Sequence, residues 1–110
     1  MRGISHVAVV NSAFPESPPR AWAEIDLAAM RANLKVARQV SGGELMVVVK
    51  AGAYGHGLEE VARVLAGQDI AFIGVANVGE ARRVRNAGVE TPIYLLGPTW
   101  AGERKEIVSR

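Results

Sequence analysis

Three short apolar runs, each followed by a segment with helical periodicity, constrain the fold of this chain more than any other feature. The runs are Leu45–Val49, Ile70–Ala76 and Ile93–Leu96. They lack the alternation of apolar and polar residues that marks a half-exposed strand, so each predicts a strand that is covered on both faces. Such strands are typical of parallel sheets and of barrel cores.

Around these runs, apolar residues recur at the spacing of a helix. The three helical stripes begin at Leu27, Leu58 and Val78, and each one ends at a glycine. A further, more polar helix is predicted from Gly102 onward. Strands that alternate with helices over short loops predict a parallel sheet with right-handed crossovers, and hence an α/β fold.

The start of the chain divides into two parts. Residues 11–20 contain three prolines and two serines without periodicity, so we expect residues 1–20 to form a flexible leader and residues 21–110 to form one folded unit. The segment Trp22–Leu27 alternates apolar and acidic residues, which predicts a half-exposed strand. Asp26 can cap the helix that follows.

The length of the chain limits how many βα repeats it can form. A closed (β/α)8 barrel typically takes about 250 residues, whereas this chain has 110 residues and supplies three core strands. We therefore expect either a small open sheet or parallel βα repeats that form the first part of a TIM (β/α)8 barrel, incomplete in this chain.

Composition argues against several classes of function. The formal net charge is +2, and the 13 basic and 11 acidic residues are dispersed, so we expect no nucleic-acid partner and no membrane partner. The absence of cysteine excludes disulfides, thiolate nucleophiles and cysteine zinc sites, and we expect no metal. The apolar stretch Val7–Val10 is too short for a secretory signal, so we expect a cytoplasmic protein.

Lys50 is the first candidate for chemistry, because it directly follows the first apolar run. The carboxyl ends of parallel strands carry ligands and catalytic groups in barrels and in open sheets. A lysine amine that is partly shielded from water there can attack an aldehyde. Position alone also fits a strand-end lysine that simply reaches solvent.

A glycine-rich segment follows Lys50. Gly52, Gly55 and Gly57 surround Tyr54 and His56, so the backbone can approach a ligand closely just before a helix whose start favours an anion. A phosphate-bearing cofactor is compatible with this segment, although short glycine patterns also form ordinary strand-to-helix turns.

These residues, with others along the chain, resemble the alanine racemase family. The resemblance extends over nearly everything from residue 21 to residue 98. The stretches that carry it are Trp22–Leu27, Met30–Asn33, Val47–Gly57 (VVVKAGAYGHG), Gly74–Arg82, Ala87–Gly88 and Pro92–Gly97. The stretch around Lys50 is specific, because it combines lysine, tyrosine, histidine and glycines in one short run.

The resemblance implies a barrel that binds pyridoxal 5'-phosphate, followed by a β domain, in a homodimer whose active sites draw residues from both subunits. Lys50 matches the catalytic lysine, which holds the cofactor as a Schiff base and is one of two bases at the α-carbon of alanine. The implied reaction interconverts L- and D-alanine and supplies D-alanine for peptidoglycan. Tyr54 matches the cofactor-binding tyrosine that reaches the phosphate, and we expect His56 to hold the loop by hydrogen bonding.

The chain departs from the family in two respects. It has Gly52 where the family usually has Asp or Asn. The second base, the arginine that faces the pyridine nitrogen, the C-terminal half of the barrel and the β domain belong to parts of the family that this chain does not contain. We therefore expect residues 21–110 to be the N-terminal part of such a barrel, to racemise poorly alone and to associate through unpaired apolar edges.

Two other functions share part of this pattern. Non-catalytic pyridoxal-phosphate-binding proteins of cofactor homeostasis have the strand-end lysine but lack the Tyr-Gly-His-Gly sequence that follows Lys50 here. Racemases for other amino acids share the same N-terminal pattern, so the sequence does not decide the substrate.

Overall fold

A computed structural model describes residues 21–110, and the predicted leader over residues 1–20 lies outside the described residues. In chain order the elements are α1 (Leu27–Ser41), β1 (Met46–Val48), α2 (Lys50–Tyr54), α3 (Leu58–Ala66), β2 (Phe72–Val75), α4 (Val78–Asn86), β3 (Ile93–Leu95), a 3-10 turn (Ala101–Glu103) and α5 (Arg104–Ser109). The strands form one parallel sheet in the order β1-β2-β3. The predicted alternation of strands and helices is confirmed.

Helix α1 begins where the sequence predicts. The side chain of Asp26 accepts a hydrogen bond from the backbone N–H of Ala29 at 2.9 Å, which is the N-cap arrangement. The predicted strand over Trp22–Leu27 is wrong, because residues 21–26 form no strand and Leu27 already belongs to α1. Ile25 and Leu27 instead bury their side chains against Val64 of α3.

The main core lies between the sheet and the helices α3 and α4. Its largest fully buried side chains come from α3, from α4, from β2 and from the residue after β1; they are Leu58, Leu65, Ile73, Val49, Val75 and Val84. Burying each such side chain contributes about 1.5–3 kcal/mol. This packing fixes the strands relative to the two helices that follow them.

The opposite face of the sheet is exposed. Met46, Phe72, Tyr94 and Leu96 are each 41–52% exposed, and Val48 and Leu96 flank Gly74 on that face. In the described part of the chain, the prediction of strands covered on both faces is therefore wrong for β1, for β3 and for the start of β2, where Phe72 is exposed. The physical reason is that α3 and α4 pack against one face only.

Two bidentate ion pairs join consecutive helices. Glu59 of α3 accepts hydrogen bonds from Arg83 of α4 at 2.6 and 2.9 Å, and Glu106 of α5 accepts two from Arg82 of α4 at 2.7 Å. The hydrogen bonds from the guanidinium groups lower the pKa of both carboxyls below the ordinary value of 4.5. These pairs link α3 to α4 and α4 to α5.

No helix within residues 21–110 combines the length and the apolar character that a membrane crossing requires.

Candidate active site

The site candidates lie at the carboxyl edge of the sheet. The ladder continues one residue past β1, where the N–H of Val49 donates to Gly74 O at 2.8 Å, and past β3, where the N–H of Leu96 donates to Val75 O at 2.8 Å. Lys50 follows at once, so it stands at the end of β1 as the sequence predicts. Its side chain is exposed. The described residues therefore do not provide the partial shielding from water that the sequence predicts for the Lys50 amine.

The turn that begins at Lys50 is helical but left-handed. Ala51, Gly52, Ala53 and Tyr54 all have positive φ, at 54°, 66°, 56° and 55°. A left-handed residue with a side chain costs roughly 1–2 kcal/mol, so neighbouring contacts must hold the turn. Strained backbone of this kind clusters at functional sites.

Several hydrogen bonds hold the turn from within. The N–H of Ala53 donates to Val49 O at 2.7 Å, and the N–H of Gly57 donates to Gly52 O at 2.9 Å. His56 Nδ1 lies 2.9 Å from Ala53 O, a contact that requires the proton on Nδ1. The expectation that His56 holds the loop by hydrogen bonding is confirmed.

Tyr54 ends the same turn. Its side chain is 59% exposed and lines a cleft of about 450 Å³ between α1 and β1, together with His56, Met30 and Leu34. Lys50 lies outside that cleft. The two predicted cofactor residues therefore lie on one turn, and of the two it is Tyr54 that lines this cleft.

Lys50 and Tyr54 have chemical groups that suit pyridoxal phosphate. Lys50 offers a primary amine that an aldehyde can reach, and Tyr54 offers a phenol O–H that can donate to a phosphate oxygen. The start of α3 is less suited to an anion than the sequence indicates, because its first turn already carries the carboxylates of Glu59 and Glu60.

One residue at this edge was missed by sequence reasoning. Glu80 in the first turn of α4 accepts hydrogen bonds from the N–H of Ala51 at 2.9 Å and from the N–H of Ala76 at 2.7 Å. The available signal was Asn77 followed three residues later by Glu80, a pattern typical of a helix start. That pattern predicts the helix cap, and the N–H of Glu80 does donate to Asn77 Oδ1 at 2.9 Å. It does not predict the hydrogen bond between Glu80 and Ala51.

Comparison with known proteins identifies the family. Residues 25–110 match the family described as "Alanine racemase, N-terminal domain". The alanine racemase of Methylacidiphilum infernorum is 39% identical over 93 residues, which cover 83% of this chain and 24% of the relative. The alanine racemase of Desulforamulus reducens is 47% identical over 78 residues, which cover 69% of this chain and 21% of the relative.

A solved structure agrees with the sequence matches. The crystal structure of alanine racemase from Oenococcus oeni superposes with a TM-score of 0.65 at 31% identity, over 70% of this chain and 23% of that one. The predicted fold class, parallel βα repeats that form the first part of a TIM barrel, is confirmed. The chain spans about a quarter of the length of these relatives. With its lysine at a strand end, its order of strands and helices and these matches, the chain belongs to the alanine racemase family, and it matches the N-terminal domain of that family.

Proposed function

We propose that this chain supplies the lysine side of an alanine racemase active site, with residues 21–110 as the N-terminal part of a barrel that binds pyridoxal 5'-phosphate. The observation that carries the proposal is the position of Lys50, which ends β1 and begins a strained left-handed turn in a chain of this family. The relatives reported above are named alanine racemases, which favours racemisation over non-catalytic cofactor binding. The proposed role is the supply of D-alanine for peptidoglycan in the cytoplasm.

We assign Lys50 and Tyr54 different roles in this part of the active site. Bound pyridoxal phosphate supplies an acceptor for the electron pair that is left at the α-carbon of alanine when its proton is removed. Lys50 Nζ would hold the cofactor until the amino group of alanine displaces it, and the freed Lys50 amine would then take or return the proton on one face of that carbon. The Tyr54 hydroxyl donates a hydrogen bond to the phosphate. The base on the other face comes from a part of the family outside this chain, in a homodimer.

The exposed sheet face supports the same proposal. Met46, Phe72, Tyr94 and Leu96 lie on the face that α3 and α4 leave open. In a closed barrel that face points inward, where side chains from other strands cover it. The same closure would remove water from around Lys50, whose amine is exposed here.

Covalent attachment of the cofactor tests the role of Lys50. We expect the chain to bind pyridoxal phosphate with an absorbance band of the attached form, and borohydride reduction to leave the added mass on the Lys50 peptide. Lys50→Ala should lose both signals, because the other lysines within residues 21–110, Lys35 and Lys105, lie in α1 and α5 and not at a strand end. The matched control is Lys35→Ala, which removes an exposed lysine of α1 and should change neither signal. No attachment in a folded sample, or equal attachment in Lys50→Ala, contradicts the proposal.

Racemisation by the same sample tests whether the second base must come from outside this chain. With one base present, we expect the loaded 110-residue chain to form D-alanine from L-alanine far more slowly than an intact relative measured beside it. The assay is repeated with serine and lysine, because the sequence leaves the amino acid open. A rate equal to that of the intact relative would show that this chain does not need the second base from elsewhere.

A further inference from the structure

The carboxylate of Glu80 joins the ends of two strands. Its Oε1 accepts a hydrogen bond from the N–H of Ala51, 29 residues away in sequence, and its Oε2 accepts one from the N–H of Ala76. Ala51 directly follows Lys50, and Ala76 directly follows β2. A single side chain therefore ties the turn that carries Lys50 to the neighbouring strand.

Glu80 is itself held firmly. Asn77 Oδ1 accepts a hydrogen bond from the backbone N–H of Glu80, and the first turn of α4 favours a negative charge. The Glu80 residue is half-buried, and both of its carboxylate oxygens are used. Hydrogen bonds from N–H groups to a carboxylate are stronger than those between neutral groups. The bridge is thus suited to hold a backbone segment that is under strain.

The bond to Ala51 acts on the peptide group that Lys50 shares with Ala51. That peptide contributes the carbonyl of Lys50 and the N–H of Ala51, so fixing its plane fixes the backbone on the carboxyl side of Lys50. The next backbone dihedral is the left-handed φ of Ala51, at 54°. An alanine rarely adopts this conformation, so contacts such as this hydrogen bond help to select it.

We propose that Glu80 is a positioning residue, which holds the peptide between Lys50 and Ala51 and thereby sets the direction in which the Lys50 amine is presented. The part of this inference that concerns the cofactor rests on the proposed function of Lys50. The part that concerns the turn rests on the hydrogen bonds alone.

Three variants of the 110-residue chain separate the role of Glu80 from a general effect of charge. Glu80→Ala removes both acceptors, whereas Glu80→Gln keeps the shape of the side chain and one acceptor oxygen. Glu60→Gln makes the same change of charge in the first turn of the neighbouring helix α3, where Glu60 pairs only with Arg63 among the described residues. Far-UV circular dichroism shows which variants keep the fold.

The first measurement needs no cofactor. Hydrogen–deuterium exchange is followed by mass spectrometry on peptides that contain residues 50–57 and residues 74–80. We expect Glu80→Ala to speed exchange in both peptides by about tenfold or more, since bonds to a charged acceptor are lost. Glu80→Gln should speed exchange in one peptide, and Glu60→Gln in neither. Unchanged exchange in folded Glu80→Ala overturns the inference.

The second measurement is the rate at which pyridoxal phosphate becomes attached to Lys50, trapped by borohydride and read from the mass of the Lys50 peptide. We expect the rate to fall by about tenfold in Glu80→Ala and by less in Glu80→Gln, with Glu60→Gln unchanged. A loosened turn with an unchanged attachment rate overturns the positioning role. If the wild-type chain attaches no cofactor, the proposed function fails, and the exchange measurement alone decides whether Glu80 holds the turn.

Discussion

Ala51, Ala53 and Tyr54 hold a left-handed backbone conformation directly after Lys50, although each of them has a side chain. The sequence identifies a glycine-rich turn here, and it identifies the lysine, because both are local features. It does not predict the handedness, since alanine and tyrosine rarely adopt positive φ. The hydrogen bond that the N–H of Ala51 donates to Glu80, 29 residues away, helps to select this conformation.

The strain at Ala51 can be measured by removing its methyl group. Ala51→Gly should raise the free energy of unfolding by up to about 1 kcal/mol, because glycine has no penalty at positive φ and this gain exceeds its extra entropy in the unfolded chain. Ala32→Gly is the matched control. It lies at an exposed position inside α1, where glycine should lower the free energy of unfolding by about 0.5–1 kcal/mol. Urea titration measures both, and equal signs for the two variants would refute the explanation.

At the scale of elements, the order of strands and helices follows from the sequence, and the contacts between elements do not. Periodicity locates β1, β2 and β3 and the helices after them, because it reports which residues of one segment share a face. It does not report which charged residues of different helices meet. The pairs Glu59–Arg83 and Arg82–Glu106 bring together residues 24 apart in sequence.

These two ion pairs predict a dependence of stability on pH. Both carboxyls have a pKa that folding lowers from 4.5, so their contribution is present above about pH 4.5 and is lost as the pH falls through the folded-state values. Glu59→Gln should lower stability at pH 7 by roughly 0.5 kcal/mol, a small value because solvent screens the pair. At pH 2 the variant and the wild type should be equally stable. Thermal unfolding at both pH values measures the difference, and a difference that persists at pH 2 would rule out the ion pair as its cause.

At the scale of the whole molecule, the sheet has one buried face and one exposed face. The apolar runs in the sequence predict strands that are buried on both faces. In the described residues, helices cover only one face of the sheet. Phe72 and Tyr94 pack edge to face on the exposed side, with their ring centroids 6.4 Å apart. Within residues 21–110, β1 and β3 are the edge strands of the sheet, and apolar surface of this kind on such a sheet favours association.

Association of the isolated chain should therefore depend on this face. We expect the sedimentation coefficient of the wild type to rise with concentration, and Phe72→Lys to reduce association several-fold, because a charge on the open face opposes its burial. Val40→Lys is the control, since Val40 is 82% exposed on α1 and away from the sheet, and it should leave association unchanged. A wild-type chain that stays monomeric at all micromolar concentrations would contradict the prediction.

The sequence by itself determined the α/β class, the positions of the three strands, the Asp26 cap and the place of Lys50 at a strand end. These features depend on residues a few positions apart, whose pattern is visible along the chain. Only the tertiary structure decided that Trp22–Leu27 forms no strand, that the turn after Lys50 is left-handed, and that Glu80 bridges two strand ends. Each of these depends on a partner distant in sequence, because backbone hydrogen bonds and apolar faces are satisfied by whatever the fold brings beside them.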